Sequence, residues 1–210
     1  MRARTNEAKD ERRTAFLIAA MDEFFENGFA AARVDDIARR AGLSKGTLYL
    51  YFKSKKELFQ GLIDMAAAPK RQQLEKIVSE APTATAAIEG FLRFAPVIVR
   101  QSIVPRIIKV MIGDSRRFPE VAHTYNQQVI ERTLGLIADI LKRGHDNGEF
   151  TVEDPELTAS LVIAPIFMSL VWHILFEQDS SDGNDFVDLE ALFSLHHKML
   201  MKALGAGNTA

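Results

Sequence analysis

The segment 34–52 reads VDDIARRAGLSKGTLYLYF, and it limits the fold more than any other part of the chain. Two helices that cross closely need a small residue at the contact, and Ala38 supplies it. The turn between them needs a residue that tolerates a left-handed backbone, and Gly42 supplies that. Ile37, Leu43, Leu48 and Phe52 then fill the wedge between the two helices. The lead-in carries Asp35, Asp36, Arg39 and Arg40 among eight residues, a pattern for a short amphipathic helix and not for a buried strand.

The same stretch contains Gly42-Leu43-Ser44-Lys45-Gly46, the G-x-S-x-G spacing of a hydrolase nucleophile elbow. Such an elbow needs an apolar strand running into the serine and a helix leaving it. Only 43 residues precede Ser44, and none of them offers a sheet. Ser44 is therefore read as the N-cap of the following helix, its hydroxyl satisfying amides of the first turn.

The rest of the chain has the same character. Apolar residues recur at threes and fours between breakers, strand-like alternation is missing, and about nine helices are expected in an all-α fold. The first spans 9–27, with Ala15, Phe16, Ala19, Ala20 and Phe24 facing inward and Gly28 as its C-terminal stop. The second and third cover 34–41 and 44–51. The fourth opens at Ser54-Lys55-Lys56-Glu57, a capping box, and Pro69 is expected to kink or break it near Met65. Helices at 85–100, 105–112, 119–143, 155–177 and 185–204 follow, with breakers at 180–184 and a frayed tail, GAGNTA.

Charge distribution divides the chain more sharply than its total of -2. Residues 1–60 hold 12 Lys+Arg against 9 Asp+Glu, and the remainder holds 14 against 19. A basic front facing something anionic is implied. With no cysteine, there are no disulfides and no thiolate ligands, which suits a reducing, cytoplasmic setting. The charged start, MRARTNEAKDERR, is no secretory signal. The uncharged run 157–176 has the length of a membrane span. Its Thr158, Ser160, Pro165, Ser169 and His173, and its acidic flanks, favour a soluble helix buried on nearly all sides.

The second helix of a helix-turn-helix enters the major groove, and residues near its N-terminus reach bases or phosphates. Here those are Ser44, Lys45, Gly46, Thr47 and Tyr49. An ordinary helical hairpin accounts for Ala38, Gly42 and the wedge equally well. It does not account for two exposed-looking tyrosines beside Lys53, Lys55 and Lys56, which favour nucleic-acid binding.

The run FFENGFAAARVDDIARRAGLSKGTLYLYFKSKKELF resembles the N-terminal domain of TetR-type transcriptional regulators. Phe24, Gly28, Phe29, Val34, Ile37, Ala38, Ala41, Gly42, Ser44 to Tyr49, Phe52, Lys55 and Leu58 stand in that family's places. The resemblance implies a homodimeric repressor with a DNA-binding head at 1–56 (motif 33–52) and a ligand-binding, dimerising body at 57–210. It implies phosphate contacts by Tyr49, Tyr51 and Lys55, the last aided by a helix N-terminus. Two departures stand out. Ala32-Arg33 replace the threonines common at the entry to the second helix, leaving an Arg33 salt contact in their place. Leu50, between the aromatics, can make no side-chain hydrogen bond.

Residues 111–150 and 154–176 resemble the C-terminal domain of AefR-like or AcrR-like regulators, often associated with efflux control. By that resemblance the last two helices pair with their copies in a four-helix dimer interface. The physical reading agrees, because an almost wholly apolar helix needs more cover than one small domain provides. An effector pocket inside the body would draw on Phe94, Ile98, Met111, Phe118, Phe167, Met168, Trp172 and His173, residues that serve equally as plain core. No metal, cofactor or catalytic residue is expected: His196 and His197 are adjacent and point apart, and no phosphate-cradling loop occurs. An all-helical enzyme, or an interaction module without specific DNA binding, is the alternative.

Overall fold

A computed structural model describes residues 2–100, 103–176 and 188–205. Among the described residues there is no strand. The helices are α1 (Arg2–Ala31), α2 (Val34–Arg40), α3 (Lys45–Tyr49), α4 (Lys55–Glu80), α5 (Ala84–Arg100), α6 (Ile103–Asp114), α7 (Pro119–Tyr125), α8 (Glu131–Asp146), α9 (Pro155–Phe176) and α10 (Leu189–Ala203). A π turn, Asn126–Ile130, links α7 directly to α8, so the single helix expected over 119–143 is this pair. The expected breaker at 180–184 and the tail beyond Gly205 lie outside the described residues.

The chain packs as two compact units. One comprises Met1–Ala67 with Arg106–Gln128, and the other Ala68–Pro105 with Val129–Ala210. The first unit therefore holds the helix-turn-helix together with α7 and most of α6, whereas the sequence alone suggests one cut at residue 56.

In the first unit, α1 supplies Phe16, Leu17, Ala20, Met21 and Phe24 to the core, all buried. Gly28 breaks the helix with φ +77, a value that favours glycine. The chain leaving it is held by Asp114, whose Oδ2 accepts from Phe29 N at 2.6 Å. Phe29 then stacks edge-on against Phe59 and Phe118, at 5.7 and 5.3 Å between ring centres. Gly61 of α4 lets α1 approach closely, since a Cβ there would lie 2.9 Å from Leu17 Cδ2.

The capping box at α4 forms with a shift of one residue. Ser54 Oγ accepts from Glu57 N at 3.1 Å, while the Glu57 carboxylate accepts from Lys53 N and not from Ser54. Helix α4 continues through Pro69, so of the expected kink or break the break does not occur. Proline removes one N–H and one bond, and the turns on either side keep theirs.

In the second unit, α5 is packed by α8, α9 and α10. Gly144 of α8 admits the Phe150 ring, which would stand 2.2 Å from an added Cβ. Glu149 reaches the start of α5 and accepts from Ala84 N, Thr85 N and Thr85 Oγ1, each at 3.0 Å. Within one chain, helix α9 is covered on one face only. Ala159, Val162, Ile166, Ser169 and Leu170 are buried, but Leu157, Leu161, Phe167, Met168, Leu175 and Phe176 are exposed. One chain covers one face of this helix and leaves another bare, although by length and composition it could cross a membrane.

Candidate nucleic-acid interface

The turn between α2 and α3 is built as the sequence requires. Gly42 has φ +68 with nothing within 4 Å of a notional Cβ, so backbone conformation alone selects glycine. Ile37, Ala38, Leu48 and Phe52 are buried beneath it. Helix α2 is pinned to α1 by Arg40, which donates to Glu26 Oε1 at 2.8 Å and lies 3.5 Å from Glu23 Oε2. The guanidinium of Arg13 lies 5.5 Å from the centre of the Phe52 ring, a cation–π contact that ties α1 to the end of the motif.

Ser44 caps α3. Its Oγ accepts from Thr47 N at 3.0 Å and stands 2.8 Å from Thr47 Oγ1. This fixes the serine in the fold and orients the threonine hydroxyl beside it. Arg33 is exposed at the N-cap of α2 with an extended backbone and no side-chain cap, so no hydroxyl holds that helix start. Tyr49 is half-exposed. Tyr51 instead leans on Phe16, with ring centres 5.8 Å apart.

Two lysines have partners that the sequence reading missed. Lys45 Nζ lies 2.7 Å from Asp35 Oδ1. That hydrogen bond holds the Asp35 carboxyl below its ordinary range and lifts the Lys45 ammonium above its own. Lys55 Nζ donates to Ala30 O and Ala32 O, both at 3.0 Å, and stands 4.9 Å from the centre of the Phe29 ring. Burial lowers its pKa. Ten residues separate Asp35 from Lys45 and more than twenty separate Lys55 from its acceptors, spacings at which helical periodicity carries no signal.

Of the eight residues expected around an effector, six belong to the second unit. Phe94 is buried and Ile98, Trp172 and His173 are half-buried, but Phe167 and Met168 lie on the exposed face of α9. Met111 and Phe118 belong to the first unit. The second unit has an open groove of about 360 Å³ lined by Glu89, Leu92, Arg93, Pro96, Glu190, Phe193, Ser194 and His197, none of them on that set. His196 Nε2 lies 3.2 Å from Val162 O, and His197 Nε2 lies 3.4 Å from Glu89 Oε1, so the neighbours do point apart. Among the described residues no three His, Asp or Glu side chains are grouped to hold a metal ion.

Residues 16–62 match the family model for bacterial regulatory proteins of the TetR family, and residues 89–188 match that for the C-terminal domain of AefR-like transcriptional repressors. The chain belongs to the TetR family. It is a DNA-binding transcriptional regulator and not an enzyme, which sets aside the enzyme and interaction-module alternative. It is 41% identical over 90 residues to the HTH-type transcriptional activator FasR of Mycolicibacterium smegmatis, a match spanning 41% of each chain. With the uncharacterised HTH-type transcriptional regulator YfiR of Bacillus subtilis it shares 24% over 193 residues, 90% of this chain and 93% of that one. Its fold is similar to that of NalD, the secondary repressor of the MexAB-OprM multidrug efflux pump in Pseudomonas aeruginosa, with a TM-score of 0.74, 18% identity and 96% and 98% coverage. TetR-family regulators bind DNA operators and are typically dimeric with small-molecule effectors.

Proposed function

We propose that this TetR-family chain is a ligand-responsive repressor, dimeric through α9 and α10, that binds a pseudo-palindromic operator and is released by a small, largely apolar effector. The observation that carries the proposal is the bare face of α9. Leu157, Leu161, Met168 and Leu175 are exposed there at spacings of four and seven residues, and Leu195 and Met199 of α10 are exposed four apart. Such spacing forms a continuous seam along a helix. An apolar seam of this length calls for a partner surface, and a second copy supplies its own α9 and α10 by two-fold symmetry.

Two recognition helices in one dimer meet half-sites about one turn of DNA apart, which accounts for a pseudo-palindrome. Arg33, Ser44, Lys45, Gly46, Thr47, Tyr49, Tyr51 and Lys55 form the contact set in this reading, with base readout by Lys45 and Thr47. An effector that prefers a body conformation unsuited to the operator lowers DNA affinity by that difference in preference. Phe94, Ile98, Trp172 and His173 are retained as the body's candidate contacts. Pro69, two residues beyond the end of the first unit's share of α4, is the proposed flexing point. Repression follows the AefR-like match, and the setting is the cytoplasm.

The test is Leu161→Glu, assayed by light scattering and by operator binding. A monomer with unchanged helical content and operator affinity reduced at least tenfold supports the proposal. A dimer that still binds operator contradicts it.

A further inference from the structure

Leu50 is 82% exposed, more than any other large apolar side chain described. It is the C-cap of α3 and keeps αR geometry, φ -72 and ψ -22, so it continues the helix by one residue. At 100° per residue Gly46 and Leu50 each stand about 160° round the axis from the buried Leu48, sharing the face that points away from the core. Gly46 has no positive φ, and the nearest atom to a notional Cβ there is the Ser44 hydroxyl at 3.8 Å. Among the described residues nothing therefore calls for glycine at 46, where it costs the helix about 1 kcal/mol relative to alanine.

A small residue followed one turn later by a protruding leucine suits a helix that lies close against another surface. The exposed neighbours Arg33, Lys45, Lys53 and Lys56 set the sign of that surface. Although Asp35 pairs with Lys45, cations outnumber it among these residues, a balance that disfavours a second copy and matches the phosphates on either side of a groove. Within the major groove, the apolar feature presented by a base edge is the C5-methyl of thymine.

We infer that Leu50 is a specificity-determining residue of the recognition helix, packing against a thymine C5-methyl in each half-site, with Gly46 leaving room for the approach. The inference rests on the DNA-binding reading and deepens it. Lys45 and Thr47 read hydrogen-bonding groups, whereas Leu50 reads a methyl group and tolerates no polar substitute for it.

The test begins with operator duplexes selected by the full-length protein from a random pool. Each thymine is then replaced singly by deoxyuridine, which deletes the methyl and keeps the hydrogen-bonding edge. One thymine per half-site is expected at which the change weakens binding about fourfold. Leu50→Ala, folded to the same melting temperature, is expected to bind the thymine and deoxyuridine duplexes equally, while Tyr49→Phe keeps the difference. An unchanged difference in Leu50→Ala, or no sensitive thymine, overturns the inference and leaves the regulator reading intact. Failure to select any sequence above random duplex overturns both.

Discussion

Lys45 Nζ and Asp35 Oδ1 stand 2.7 Å apart across the turn that joins α2 to α3. Both side chains remain about half-exposed, so the pair is a surface device and adds little to folding. Its consequence lies in DNA binding. The carboxylate draws the ammonium toward one direction and repels phosphates that would otherwise attract it. Asp35→Asn is therefore expected to tighten binding to random duplex by about tenfold and to steepen its salt dependence, while the preference for operator falls. Titrations of both duplexes at two salt concentrations measure this, and an unchanged ratio of affinities would remove Asp35 from the account.

Lys55 serves the fold through two of its three N–H groups, which hold Ala30 O and Ala32 O. We propose that the third meets a phosphate at the start of α4. Lys55→Met keeps an unbranched stem beside Phe29 and abandons both carbonyls. We expect a loss of about 1 kcal/mol in stability by denaturant unfolding. We also expect a salt slope for DNA binding smaller by about 0.9 for each half-site. A full slope with reduced stability would assign Lys55 to the fold alone.

The head was legible because its signals are local. Ser44 caps, Gly28 and Gly42 take positive φ, and Ala38 and Leu48 are buried, each a consequence of a few neighbouring residues. Pro69 does not end α4, since one lost hydrogen bond is small beside the bonds retained along a helix as long as Lys55–Glu80. Helix α9 shows a different limit. Hydropathy recognises that the helix is apolar, but its burial depends on which neighbours reach it, and α5, α8 and α10 cover one side only. The expected effector residues depend on a further quantity. Whether Phe167 faces a cavity or solvent depends on helix rotation, which a periodicity of apolar residues on every face does not fix.

Glu149 gives the second unit a pH-dependent tie. Burial pushes its carboxyl upward, but the hydrogen bonds from Thr85 and Ala84 outweigh that, and the pKa lies below the ordinary 4.5. A depressed carboxylate contributes stability that is present above the unfolded value and is lost as pH falls through the folded one. Glu149→Gln is expected to cost about 1 kcal/mol at pH 7, with the difference from wild type fading below the ordinary glutamate range. Urea unfolding at both pH values measures it, and a constant difference would contradict the assignment.

Gly42 and Gly144 are needed for different reasons, and alanine substitution separates them. At Gly42 only the backbone objects, so Gly42→Ala should cost about 1 kcal/mol and weaken DNA binding by displacing α3. At Gly144 the added Cβ collides with Phe150, and overpacking of that kind costs about 2 kcal/mol. The expected signature is a larger fall in melting temperature for Gly144→Ala, with its operator affinity at low temperature close to wild type. The reverse order would mean that the strain at Gly42 has been underestimated.

The most direct test of the central claim is a salt titration of binding to a duplex from the gene's own upstream region, beside a scrambled duplex of equal length. A TetR-family repressor with this head should prefer the upstream duplex by about a thousandfold or more at physiological salt. Its affinity should fall along a straight line in log salt, with a slope reflecting several phosphate contacts. Equal, weak binding to both duplexes at every salt concentration would contradict the account.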